Sequence, residues 1–334
     1  MRWTLALPIL TACSFGAPPL SGDAGADGPV DIDAPGDAGT DGPGDPWWDP
    51  AWPVRMRIAI DNTAPLVPGF QLGLRRDLDA APCNGPRDAV RVVRDHTAEL
   101  PRVIDELGGD EWIWFRLADA RPAGTGPSAY WLYCGNASAG PAPSDPAAVF
   151  DLYDDFDGTT LSSAWRVQGG VTVGGGAVTL PGNNTGIHSD AAFGPGTATD
   201  FVLQVSSGAR NNPALWGGFE IRFTTTPPWA VWYADQSNRI KQWIRTGTEA
   251  PANERPLDLG AHLYGVEHHG SSAVFRHGNA VVGTRTYNTP VMPPMNVRLH
   301  NYQSGGAIQF LMARVRKAVD PIPAVTLGPV ETRP

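Results

Sequence analysis

Val54-Arg55-Met56-Arg57-Ile58-Ala59-Ile60-Asp61 alternates apolar with mostly polar side chains, the period of a strand buried on one face. Further on, Glu111-Trp112-Ile113-Trp114-Phe115-Arg116-Leu117 and Ala129-Tyr130-Trp131-Leu132-Tyr133-Cys134 are apolar, aromatic runs bounded by turn residues. Such runs predict central strands. Shorter strands are predicted at Phe70–Leu74, Ala89–Asp95 and Leu100–Asp105. Proline and glycine punctuate the gaps, as at Arg121-Pro122-Ala123-Gly124, where the chain must turn. No apolar stripe at helical spacing persists for three turns. Residues 47–148 therefore read as a small all-β sandwich.

Beyond Val149 the pattern repeats on a larger scale. Phe150-Asp151-Leu152-Tyr153-Asp154-Asp155-Phe156-Asp157-Gly158 leads into Leu161-Ser162-Ser163-Ala164-Trp165. Short strands are predicted at Val171–Val173, Ala177–Leu180, Phe201–Ser206, Trp216–Phe223, Ala230–Ala234, Ile240–Arg245, Leu263–His268, Ala273–His277, Val281–Thr286, Asn296–Asn301 and Ile308–Val315. So many evenly spaced strands suit a two-sheet jelly roll over residues 149–329. Gly174-Gly175-Gly176 reads as a hairpin turn, because a strand follows it and a phosphate-cradling loop would open a helix. The run from Arg314-Val315-Arg316-Lys317 through Pro321-Ile322-Pro323 to Leu327-Gly328 is expected to complete the edge of this second sandwich.

Composition fits an all-β chain. Of 334 residues, 39 are glycine and 33 proline, about a fifth against the roughly 12% of average usage. The net charge of −9 argues against a nucleic-acid partner, which calls for a basic face. No apolar run reaches the roughly eighteen residues of a membrane-spanning helix. Residues 14–46 are nearly all Gly, Ala, Pro and Asp, with seven aspartates and no cation. Such a segment cannot bury enough surface to offset backbone entropy, and it is expected to be a disordered, extended tether. Its aspartates do not meet the spacing of a calcium loop, so structural calcium lacks support and no cofactor is expected.

The first residues carry an address. Met1-Arg2, an apolar run from Trp3 to Leu10, and Thr11-Ala12-Cys13 describe a secretory signal. Leu10-Thr11-Ala12-Cys13 resembles the lipobox of bacterial lipoproteins, the alternative being an ordinary cleaved signal with a chance cysteine. The resemblance implies that residues 1–13 hold signal peptide and lipobox, and that Cys13 becomes a diacylated N-terminus. Each buried CH₂ would then anchor the chain by about 0.8 kcal/mol. Ser14, in place of Asp, implies the outer membrane or cell surface. The other cysteines, Cys83 and Cys134, are expected to pair in an exported protein; two buried thiols are the alternative.

Trp47-Trp48-Asp49-Pro50-Ala51-Trp52-Pro53-Val54-Arg55, followed by Ile58-Ala59-Ile60-Asp61-Asn62, resembles the opening of the bacterial domain of unknown function 2341. Tyr130-Trp131-Leu132-Tyr133-Cys134-Gly135-Asn136-Ala137-Ser138-Ala139 resembles its closing stretch, with Cys134 where tyrosine is common. Val149-Phe150 through Asp154-Asp155-Phe156 resembles the bridge into a concanavalin A-like lectin/glucanase module, and Val315-Arg316-Lys317 with Asp320-Pro321 resembles the tail of one. The second resemblance implies a β-sandwich and often carbohydrate binding; neither names a ligand.

Glucanases of this architecture carry a Glu-x-Asp-x-Glu strand whose two carboxylates flank the scissile bond, and no such strand occurs here. The nearest is Gly218-Phe219-Glu220-Ile221-Arg222-Phe223. Alternation sets Glu220 and Arg222 on one face, where Arg222 is expected to keep Glu220 ionised as a hydrogen-bond acceptor. That pair reads either as a surface ion pair or as a polar contact to sugar. His262, His268, His269 and His277, with Glu267 among them, lack zinc-motif spacing, and no metal site is expected. No serine lies in a nucleophile-elbow context, so no catalytic residue is assigned.

Aromatic surface remains. Twelve tryptophans are many for this length. Trp229, Trp232, Tyr233 and Trp243 lie in adjacent predicted strands, and Lys241, Trp243 and Arg245 share a face. An indole bordered by cations and amides can stack on a pyranose, whereas Trp112, Trp114 and Trp131 read as packing residues. The expected ligand-binding set is Trp232, Trp243, Lys241, Arg245, Glu220 and Arg222. The chain thus reads as an exported, lipid-anchored, non-catalytic surface protein with a polysaccharide or surface glycan as partner. A structural or adhesive protein that binds other proteins is the alternative, and a glycoside hydrolase is a third.

Overall fold

The computed structural model describes residues 46–333 apart from 79–80, 84–85, 108–109, 206–214, 222–226, 236–237, 289–291 and 303–305. The signal, lipobox and tether readings and Arg222 therefore lie outside the described residues. Residues 46–334 form one compact unit. The chain is all-β, as its periodicity predicts. Among the described residues no helix is long and apolar enough to cross a membrane.

The first sandwich uses β1 (Val54–Asn62), β2 (Gln71–Arg75), β3 (Arg91–Arg94), β4 (Ala98–Leu100), β5 (Arg102–Leu107), β6 (Asp110–Arg116) and β7 (Gly124–Cys134). Strands β1, β7, β3 and β4 lie side by side in one sheet, and β2-β6-β5 form a second. Ile58, Ile60, Leu72, Val92, Ile113, Phe115 and Leu132 make the core between them. Cys83 and Cys134 are disulfide-bonded, 51 residues apart. Closing a loop of that length removes about 4 kcal/mol of unfolded-state entropy. Cys83→Ala with Cys134→Ala is accordingly expected to lower unfolding free energy by about that amount. Urea titration of the double variant checks it, and a loss below about 1 kcal/mol would show the bridge to be idle.

A four-residue helix, α1 (Pro146–Val149), capped by the Asp145 carboxylate on the Ala147 and Ala148 N–H groups, leads into the second sandwich. That sandwich comprises β8 (Leu152–Asp154), β9 (Trp165–Gln168), β10 (Thr172–Val173), β11 (Val178–Leu180), β12 (Thr185–Phe193), β13 (Thr197–Val205), β14 (Leu215–Glu220), β15 (Trp229–Asp235), β16 (Arg239–Arg245), β17 (Ala252–Pro256), β18 (Gly260–His268), β19 (Ser272–His277), β20 (Ala280–Thr286), β21 (Met295–Asn301) and β22 (Ile308–Lys317). One sheet runs β10-β11-β22-β13-β18-β19-β20, with β8 also on β22; the other runs β17-β16-β15-β14-β21-β12-β9. Phe201, Phe219, Trp232, Phe275, Leu299 and Phe310 fill the space between the sheets. The glycine triplet turns the β10–β11 hairpin, with Gly175 and Gly176 at φ 64° and 71°, a conformation that side-chain-bearing residues rarely adopt.

The C-terminus departs from expectation. Strand β22 completes the second sandwich, but the chain then crosses back, and β23 (Ala324–Thr332) pairs antiparallel with β1 from Asp61↔Ala324 to Val54↔Thr332. Residues 324–329, read as the end of the second sandwich, thus close the first sheet. Val325 and Leu327 pack against the first core, and the edge of β1 is covered rather than left open to pairing with another chain.

The two sandwiches meet through the outer face of the β2-β6-β5 sheet. Ile113 and Phe115 face the first core, while Trp114 packs with Val103, Val149, Phe150 and Tyr153. Burial on both faces explains why β6 reads as a continuous apolar run. Arg314 of β22 donates to Asp105 of β5 and, at 3.1 Å, to Asp200 of β13. Its guanidinium lies 4.4 Å from the Trp114 ring centroid. Arg316 pairs with Asp200 at 2.9 Å and with Glu267 at 3.2 Å. Burial alone would raise the Asp200 carboxyl, but the charges of Arg316 and Arg314 outweigh it and hold it below its ordinary value.

Candidate functional site

On the seven-stranded sheet, residues alternate between the core and the opposite face. Across the registered pairs Trp216↔Tyr233, Trp216↔His300, Gly218↔Arg298, Glu220↔Trp229 and Val231↔Trp243, these side chains share the face turned from the core. A cleft of about 320 Å³ opens there, lined by Asn184, Trp216, Glu220, Trp229, Tyr233, Trp243, Arg298, His300 and Tyr302. At Gly218 a Cβ would collide with the Ala230 carbonyl, so only glycine lets β14 and β15 pair this closely beside the cleft.

The aromatic wall is tightly built. Trp216 lies 5.0 Å from Trp229 and 5.4 Å from Trp243, and Trp243 lies 5.1 Å from Trp229 and 5.0 Å from Tyr233, mostly edge to face. Tyr302 stacks on Tyr233 at 6.1 Å. Arg245 sits over the Trp229 and Trp243 rings, at 5.1 and 5.8 Å. The Trp243 indole N–H donates to the Glu249 carbonyl at 2.8 Å. Burial would raise the Glu249 carboxyl, yet donation from the Thr246 hydroxyl and the Thr246 and Gly247 N–H groups holds it at about 2. That turn fixes the ring. Trp229 is buried, while Trp216, Tyr233, Trp243 and Tyr302 are half-buried and offer the surface a ligand can touch.

The polar floor brings in a cation from a distant strand. Glu220 takes its cation from Arg298 of β21, which donates to Oε1. Arg298 Nη2 also lies 3.0 Å from His300 Nδ1. Burial pushes the Glu220 carboxyl up to about 7, against the pull of Arg298. The expected partner Arg222 lies outside the described residues; among these, Arg298 meets the wholly buried Glu220 carboxyl, and desolvation outweighs its charge. His300 is held down at about 3, first by burial and then by Arg298 and His188, so its imidazole is neutral. Glu220 can change from donor to acceptor near neutral pH.

This raised value carries a stability consequence. The folded value of about 7 exceeds the ordinary 4.5, so the contribution is full below about pH 4.5 and is lost as pH rises through 7. Glu220→Gln removes the titration. Between pH 4.5 and 8 the variant is expected to gain on the parent by roughly 3 kcal/mol. Denaturation midpoints of both across that range check the sign; parallel curves would contradict it.

Of the other expected residues, Trp243 and Glu220 line the cleft and Arg245 braces it. Lys241 shares the face but pairs with Glu254 of β17 at 3.4 Å. Trp232 does not belong to the site. It is fully buried, its indole N–H donates to the Gly265 carbonyl at 3.0 Å, and it packs on Tyr264 and Phe275. Its neighbours Val231 and Tyr233 take the face that carries Trp243 and Trp216, so strand alternation turns Trp232 into the core. Arg298, His300 and Trp216 join the cleft without having been expected there. The signal for the first two is Met295-Asn296-Val297-Arg298-Leu299-His300, a strand whose apolar side is interleaved with polar residues.

Glu267 is spent on structure. Burial would raise it, but the His269 hydrogen bond and the charges of Arg316 and Arg276 hold it at about 2. His268 faces the core, where burial lowers it to about 4.

A family described as a domain of unknown function, DUF2341, matches residues 87–168, which run from the first sandwich through β9. No curated protein matches the chain. Among solved structures, the laminarinase from Flavobacterium sp. UMI-01 is 12% identical with a TM-score of 0.42, over 50% of this chain and 100% of that one. The endo-β-1,3-glucanase from Pyrococcus furiosus is 10% identical with a TM-score of 0.41, over 51% and 95%. A pseudo β-1,3-glucanase of Mycobacterium tuberculosis is 13% identical with a TM-score of 0.40, over 51% and 99%.

Proposed function

We propose that this chain is a non-catalytic carbohydrate-binding protein that holds a polysaccharide in the cleft on the seven-stranded sheet. The supporting observation is the wall of Trp216, Tyr233, Trp243 and Tyr302 beside the buried Glu220 and Arg298, with the exposed Asn184 at the rim. Rings take the apolar C–H face of a pyranose while buried polar groups meet its hydroxyls. Among the described lining residues one carboxylate is present, Glu220, whereas paired-carboxylate hydrolysis needs two about 5–10 Å apart. The reading includes export and lipid attachment at Cys13, with residues 14–46 as a tether to the cell surface or outer membrane.

A glycan array probed with the full chain tests the binding. Selective retention of one sugar class is expected, and release of shortened product would contradict the non-catalytic reading. Absence of binding to any sugar would favour a protein-binding role instead. Mass spectrometry of the mature chain is expected to find acyl groups on Cys13 as the leading residue; an unmodified start elsewhere would overturn the anchoring.

A further inference from the structure

Strand β17 belongs to the seven-stranded sheet and β18 to the other, so Leu257–Leu259 is a crossover between the two layers. Asp258 sits in this crossover, His262 follows in β18, and His277 ends β19. One donor atom from each lies within 4.8 Å of the others. His277 Nε2 is cut off from solvent and makes no hydrogen bond. Its neighbour is Asp258 Oδ2, at 3.4 Å. The spacing is long for a hydrogen bond, but it matches the ligand–ligand edge of a tetrahedral zinc centre, about 3.3–3.4 Å for bonds of about 2.0–2.1 Å. The His262 and His277 rings lie 5.6 Å apart at 31°, and His262 Nε2 is 2.9 Å from the Leu259 carbonyl.

We propose that Asp258, His262 and His277 form a zinc-type site that ties the crossover to β19. Two imidazoles and one carboxylate select a borderline divalent ion such as zinc over calcium or magnesium, which prefer all-oxygen shells. Three protein ligands leave a fourth position to water. Arg255 Nη2, 3.8 Å from Asp258 Oδ2, is a cation the metal must displace; its side chain is about a third exposed and can turn to solvent. The site lies on side chains that the glycan cleft does not use, so it stands or falls independently of that cleft.

The test is zinc titration of the untagged full chain against a chromophoric chelator, with Cys13→Ser so that position 13 carries neither lipid nor thiol, alongside cobalt absorption. One equivalent of zinc and the visible bands of tetrahedral cobalt are expected. Asp258→Asn, which keeps shape, and His277→Ala are each expected to weaken binding at least about 100-fold, beyond what loss of an outer-shell partner costs. His269→Ala leaves it unchanged. Zinc should also raise the Tm of the parent and not that of Asp258→Asn, because a ligand of the folded state stabilises it by mass action. Uptake below one equivalent, or uptake unaltered in both Asp258→Asn and His277→Ala, would overturn the assignment.

Discussion

Arg314→Ala is expected to lower unfolding free energy by about 3–5 kcal/mol, the cost of leaving a buried charge without its partner. Arg314 is buried between the sandwiches. It neutralises Asp105 on one side and Asp200 on the other, and its flat guanidinium lies over Trp114 and, at 5.0 Å, Phe150. Truncation therefore strands the half of the network that belongs to the first sandwich and opens a void beside two rings. Asp200 still has Arg316, so the loss falls chiefly on Asp105. Asp105→Ala combined with Arg314→Ala should cost less than the sum of the single changes, the mark of a direct pair. Arg314→Met together with Asp105→Leu should restore much of the stability, because apolar residues of similar volume replace buried ion pairs well. Urea titration of the set decides it; a loss below about 1 kcal/mol for Arg314→Ala would show that this contact does not hold the sandwiches together.

Two tryptophans in neighbouring strands should respond in opposite ways. Trp243→Ala is expected to weaken sugar binding roughly 30-fold or more, since removing an anchoring aromatic costs about 2 kcal/mol or more of binding, while the fold loses only a half-buried ring. Trp232→Ala is expected to cost about 3–5 kcal/mol of stability through the cavity it leaves, and to leave the affinity of the molecules that remain folded unchanged. Calorimetric titration with the array-selected oligosaccharide, paired with thermal unfolding of each variant, separates the two. Equal binding by parent and Trp243→Ala would place the ligand elsewhere.

These contrasts show what the chain reveals before it folds. The alternation of residues 54–61 and the aromatic run at 111–117 make strands legible, because side-chain period is a local property. Alternation likewise places Lys241, Trp243 and Arg245 on one face. It cannot say which of two apolar-looking faces meets the other sheet, and so Trp232 and Trp243 read alike until Trp232 is found against Tyr264 and Phe275. Local spacing offers Glu220 a neighbour at Arg222 but gives no sign of Arg298, which reaches it from 78 residues downstream by strand pairing. Strand β12, Thr-Gly-Ile-His-Ser-Asp-Ala-Ala-Phe, is illegible in advance because its short polar residues carry no apolar period. The return of β23 to β1 is a long-range closure that no local pattern encodes.

We propose above that the cleft beside Trp243 holds a sugar ring and leaves it whole. A crystal structure of the full chain with the oligosaccharide selected by the array tests this most directly. An intact pyranose is expected, with its C–H face against Trp243 or Trp216 and a hydroxyl within hydrogen-bond reach of Glu220 or Arg298. Sugar bound away from this sheet, or a cleaved product in the cleft, would contradict it.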